Sequence, residues 1–226
     1  MSSEIAASLS EVATRAVTAF ERANGGVMNV VAALDVAQAV EEMRALLDRP
    51  ELKARILALQ DTPIGFRTDS DPKVFNKRKN AHNTPYDWPV VRDCALEATL
   101  RGLQLCGNQW NLLAGRMYCT KEGFEYLIRI LPGLTEWKPV IGVPKTANGG
   151  ALVECSATWK LRGQAGSLTV TIPIKTDDYA GADQIIGKAT RKFYARCYGI
   201  MTGVSMPEAE VEAGTVDVTP GGTKPA

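Results

Sequence analysis

The 226-residue sequence predicts an α+β fold: a small curved antiparallel sheet packed against helices, with a helical N-terminal region. Three observations carry that prediction. Apolar residues recur at helical spacing through the first sixty positions, two later stretches alternate apolar and polar side chains, and a long amphipathic helix pattern follows them. At 45% hydrophobic and 23% charged residues, the composition is that of a chain able to bury a core.

Residues 1–60 read as helices. Ile5, Leu9, Val12, Ala16, Ala19 and Phe20 lie at helical spacing, and Asn24-Gly25-Gly26 supplies a stop. A second helix is expected over 27–47, broken by Asp48-Arg49-Pro50, and a short third one over 51–59. These helices are expected to cover a sheet or grip a neighbouring subunit. Residues 61–89 form a basic irregular loop in which Arg67, Lys73, Lys77, Arg78 and Lys79 alternate with Phe66, Phe75, Tyr86 and Trp88.

From residue 90 to 203 a single α+β core is expected. Pro89 suits the first turn of a helix over 90–103. A hairpin follows at 108–114 and 117–120 around Gly115, and Thr120 caps a helix over 121–131 that Pro132-Gly133 ends. After an extended piece at 136–143, strands at 151–162 and 168–175 are joined through 163–166. Val153, Cys155, Ala157, Trp159, Val170 and Ile172 share one side, with Lys160, Arg162 and Lys175 on the other, so one wet face is expected. The helix over 182–201 places Ile186, Ala189, Phe193, Cys197 and Ile200 on one side and Lys188, Lys192 and Arg196 on another, with Arg191 nearby. Residues 204–226, rich in Pro, Gly and Glu, read as a disordered acidic tail.

The net charge of +1 hides an uneven distribution: −3 over residues 1–65, +7 over 66–203 and −3 over 204–226. A basic middle between acidic ends points to a polyanionic partner. No catalytic residue, metal ligand or cofactor is assigned. His82 is the only histidine and has no nucleophile pattern beside it; the five cysteines form no C-x-x-C pair and fit a reducing cytoplasm. The stretch 181–190 imitates a phosphate loop, but five residues separate its glycines and Ala189 stands where a hydroxyl is required. Asp177, Asp178, Asp183 and Glu154 compose an alternative Mg²⁺ cluster for a nuclease, set against the simpler reading of a turn and an acidic first helical turn. No apolar run approaches a membrane span.

Residues 90–203 resemble the phage single-strand annealing proteins of the RecT/Redβ-like group. Three stretches carry the likeness: VVRDCALEATLRGLQLCGNQWNLLAGRMYCTKEGFEYLIR, ECSATWKLRGQAGSLTVTIPIK and GADQIIGKATRKFYARCYGIMTG. The resemblance implies ATP-independent annealing of single-stranded DNA, held in a basic groove until it pairs with its complement to give an annealed duplex intermediate. It also implies a homo-oligomeric ring or helical filament in the bacterial host's cytoplasm, with a phage exonuclease and a single-strand-binding protein as companions. The DNA-binding candidates are Lys188, Arg191, Lys192 and Arg196 on the last helix, Lys160, Arg162 and Lys175 on the strands, and Lys77, Arg78 and Lys79 in the loop. Tyr118, Tyr194 and Tyr198 are candidates for stacking on bases. The alternatives are a single-strand-binding module that protects without pairing, and the Mg²⁺-dependent nuclease.

Overall fold

The computed structural model describes residues 11–12, 14–15, 18, 30–70, 85–147, 149–175, 181–204, 210–211 and 216–217. The architecture is α+β, with open antiparallel sheets and a helical N-terminal region. The chain divides into two compact units, Met1–Val74 with His82–Gly123, and Phe75–Ala81 with Phe124–Ala226. The division falls at Gly123, inside the stretch 90–203 that the sequence presents as one core.

In the first unit, Glu11, Val12, Thr14, Arg15 and Thr18 are helical, and helices α1 (Val30–Leu47) and α2 (Pro50–Leu57) follow. Pro50 opens α2 because a first-turn residue needs no backbone donor. Helix α3 (Trp88–Leu100) likewise has its proline in the first turn and buries Val91, Cys94, Ala95 and Ala98. It packs on a three-stranded sheet of β1 (Arg67–Thr68), β2 (Trp110–Leu113) and β3 (Arg116–Cys119). The β2–β3 hairpin turns through Ala114 and Gly115, at φ 49° and 73°, the double left-handed step that matches strand twist. Strand β1 pairs in parallel with β2, and Phe66 just before it stacks on Trp110 with ring centroids 4.2 Å apart. Part of the expected loop 61–89 is therefore ordered core, pinned because Phe66 is fully buried.

Buried polar groups fasten this segment. Asp61 accepts from the Thr68 backbone N–H at 2.7 Å, and Asp69 accepts from the Tyr86 hydroxyl at 2.6 Å and the Ala114 N–H at 3.0 Å. The Gly115 N–H donates to the same Tyr86 oxygen at 3.1 Å. Asp69 and Tyr86 thus bring the flanks of residues 71–84 together. The Tyr86 phenol is pushed far up by burial and by its bond to the Asp69 carboxylate.

Helix α4 (Lys121–Arg129) spans the boundary between the units, and Thr120 caps it by accepting from the Gly123 N–H at 3.1 Å. The second unit holds a four-stranded antiparallel sheet: β4 (Leu134–Ile141), β5 (Lys145–Ala147), β6 (Gly150–Leu161) and β7 (Gln164–Lys175). Strand β6 is central, with β7 along one edge and β4 and β5 sharing the other. Helix α5 (Ala182–Thr202) lies across one face of the sheet. Ile185, Ala189, Phe193, Cys197 and Met201 recur every fourth residue and pack with Val153, Cys155, Ala157, Trp159, Ile172 and Ile174. Fully burying a side chain of the size of Phe193 contributes about 3 kcal/mol.

Several sequence-based expectations change here. The β6–β7 turn is two residues, Arg162 and Gly163 at φ 50° and 84°, instead of the expected four-residue link over 163–166. Ile200 is 58% exposed in the last turn of α5, and Met201 takes the place against the core. In the expected disordered tail, Glu210–Val211 (β8) and Val216–Asp217 (β9) pair antiparallel. The expected helical positions Ile5, Leu9, Ala16, Ala19 and Phe20, and the charged residues Lys73, Lys77, Arg78, Lys79, Asp177 and Asp178, lie outside the described residues. Among the described residues no helix is long and apolar enough to cross a membrane.

Candidate nucleic-acid interface

The sheet of the second unit has two unlike faces. Strict alternation along β6 and β7 sends apolar residues to the α5 side and gives the other side hydroxyls and lysines together with Leu152, Glu154, Ala165 and Pro173. Register gives the open face row by row. Thr169 lies opposite Ser156, Ser167 opposite Thr158, Thr171 opposite Glu154, and Lys138 of β4 is the other neighbour of Thr158. Lys145 of β5 pairs with Leu152, and Lys175 of β7 pairs with Gly150. Lys138, Lys145, Lys160 and Lys175 are all exposed on this face. Among the described residues the acidic ones there are Glu154 and Glu136, and Glu136 approaches Lys160 at 3.9 Å.

A bulge in β4 makes this arrangement. The β4–β6 register shifts between Thr135 and Lys138, with Glu136 in the left-handed region at φ 57°. Beyond the bulge Trp137 turns inward, 5.8 Å from the Tyr194 ring and 6.2 Å from Trp159. Lys138 and Val140 then point to the open side. Close contact with Trp159 also explains Gly166: a Cβ there would meet the indole Nε1 at 2.4 Å.

The sequence-derived candidates do not converge on one surface. Lys160 and Lys175 lie on the open sheet face, near opposite ends of β6. Arg162 sits at the hairpin tip, where its N–H donates to the Gly133 carbonyl at 2.9 Å and its side chain runs over Gly133. Lys188, Arg191, Lys192 and Arg196 belong to α5, on the opposite side of the sheet. Lys188, Arg191 and Arg196 are half-buried and Lys192 is only 8% exposed, so the expected solvated ridge is interrupted at its centre. The physical reason is that a lysine's long aliphatic stem buries readily along a protein surface.

Of the stacking candidates one is buried and two are half-buried against other rings. Tyr118 is buried, Tyr194 lies edge-on to Trp137, and Tyr198 is tilted against Phe124 at 6.3 Å. Burial pushes the Tyr194 hydroxyl above its ordinary range. The acidic pair proposed with Asp177 and Asp178 separates as well, since Glu154 lies on the open face and Asp183 in the first turn of α5. Among the described residues no group of three His, Cys, Asp or Glu side chains is placed to hold a metal ion.

Sequence reasoning missed Lys138 and Lys145. Lys138 was hidden because the bulge breaks the two-residue period that would have exposed it. Lys145 lies in a three-residue strand too short to give a pattern. Family models, curated proteins and solved structures yield no match to this chain.

Proposed function

We propose that the chain binds single-stranded DNA through its phosphate backbone and joins it to a complementary strand without nucleotide hydrolysis. One observation carries this reading: among the described residues the open sheet face presents four exposed lysines and paired rows of Ser and Thr hydroxyls, with two carboxylates among them. Lysines and hydroxyls contact phosphate oxygens without reading sequence. Annealing needs that division of labour, because base edges must stay free to pair. The resemblance of residues 90–203 to the RecT/Redβ-like annealing proteins supports the same reading.

The test mixes two complementary oligonucleotides carrying a fluorescent donor and acceptor, with protein and without ATP. The expected result is joining at least tenfold faster than the spontaneous rate, with strands of unchanged length. Binding without faster joining would favour a protective module instead. Strand shortening that requires Mg²⁺ and Asp177 or Asp178 would favour the nuclease reading.

A further inference from the structure

The lysines of the open face are not spread evenly, and their distribution has a consequence for ligand length. Lys160 lies at one end of β6, with Lys138 beside it opposite Thr158. Lys145 and Lys175 flank the other end, opposite Leu152 and Gly150. From Thr158 to Leu152 is six residue steps, about 20 Å at the 3.3 Å rise of a strand. From Lys160 to Gly150 is ten steps, about 33 Å. The stretch between carries Ser156, Thr169, Thr171 and one carboxylate, Glu154, together with Val140 at 61% and Leu152 at 40% exposure.

We propose that this face grips a nucleic-acid strand at two points, one basic cluster at each end of β6, with the intervening segment lying over a partly apolar strip that carries hydroxyls and the single carboxylate Glu154. The inference rests on the single-strand-binding reading and sharpens it. A phosphate backbone is the occupant because the four cations answer a line of regularly spaced anions, while Glu154 disfavours a phosphate at the centre. Bases and sugars, not phosphates, therefore lie over Val140 and Leu152. At the 3.4 Å spacing of one stacked strand, roughly six nucleotides bridge the nearer lysines and roughly ten bridge the full span. A shorter oligonucleotide touches one cluster and gains nothing from the other. Joining two weak contacts through one ligand raises affinity about 10²-fold or more.

The experiment measures affinity for deoxythymidine oligomers of 3, 6, 9, 12 and 16 nucleotides, at protein concentrations well below saturation. The expected curve rises at least tenfold between the 3-mer and the 12-mer, beyond the gain from counting sites, and then flattens. Lys145→Gln with Lys175→Gln should remove that step and lower 3-mer affinity by about twofold, since one of two grips is lost, and Lys138→Gln with Lys160→Gln should do the same from the other end. Lys188→Gln should leave the step in place. Glu154→Gln should tighten binding of the long oligomers.

Smooth growth with length, or a step that survives both double variants, would overturn the two-point grip while leaving single-strand binding intact. Failure to bind any oligomer would overturn the binding reading along with it. Equal binding of poly-glutamate of matching length, with the same step, would overturn nucleic acid as the occupant.

Discussion

Lys160 and Lys192 carry the same charge, and the fold treats them oppositely. Lys160 projects from a strand whose next residues face the core, so its ammonium reaches solvent; Lys192, on α5, is only 8% exposed. The cysteines divide in the same way. Burial pushes the Cys94 and Cys197 thiols up to about 12 and raises that of Cys155, whereas Cys106 is exposed. Only a thiolate reacts readily with alkylating reagents. Native protein at pH 8 should therefore take up one maleimide, at Cys106, and all five only after denaturation; mass spectrometry that finds early modification of Cys94 or Cys197 would contradict this burial. Asp48 gives a pH dependence of known sign. The Trp88 indole N–H, at 2.6 Å, is the main influence holding its carboxyl below the usual range, with Arg92 at 2.8 Å adding to it against a desolvation penalty. A depressed carboxylate contributes stability above its unfolded pKa of about 3.9 and loses it as pH falls through the folded value. Asp48→Ala should lower stability at pH 7 by at most about 1 kcal/mol, because the side chain is exposed. Denaturation curves of the two proteins should draw together below about pH 4.

At the level of elements, legibility followed the length and regularity of each pattern. The hairpin β6–β7 and helix α5 could be read directly, since Val153, Cys155, Ala157 and Trp159 alternate without interruption and Ala189, Phe193 and Cys197 keep a four-residue spacing. Strand β1 could not, because two residues pairing in parallel with β2 carry no period and depend on the distant Trp110 to bury Phe66. The bulge at Glu136 concealed Lys138 for a related reason: an inserted residue reverses the parity on which face assignment rests. The open face was thus half visible, through Lys160 and Lys175, and half hidden. Packing between α5 and the sheet should be the energetic centre of the second unit. Phe193→Ala should cost about 3–5 kcal/mol in urea denaturation. Gly166→Ala should also destabilise, by about 1–3 kcal/mol, as the Trp159 ring is displaced. A neutral result at Phe193 would mean that α5 does not seal the core as described.

Across the whole molecule, charge and architecture point to the same region. The excess positive charge falls between residues 66 and 203, and within it the second unit supplies a sheet with one face sealed by α5 and one left open. The lysines on the open face and the basic residues of α5 lie on opposite sides of that sheet, so the two sets make separable predictions. In single-strand binding each phosphate contact adds about 0.7 to the slope of log affinity against log salt. The decisive measurement is that slope for wild type, for the quadruple Gln variant of Lys138, Lys145, Lys160 and Lys175, and for the triple Gln variant of Lys188, Arg191 and Arg196. The sheet-face variant should lose about 3 units of slope, close to four contacts' worth, and the helix variant less than about 1. A folded sheet-face variant that keeps its full slope, with the loss appearing in the helix variant instead, would contradict the assignment of the open face as the DNA-binding surface.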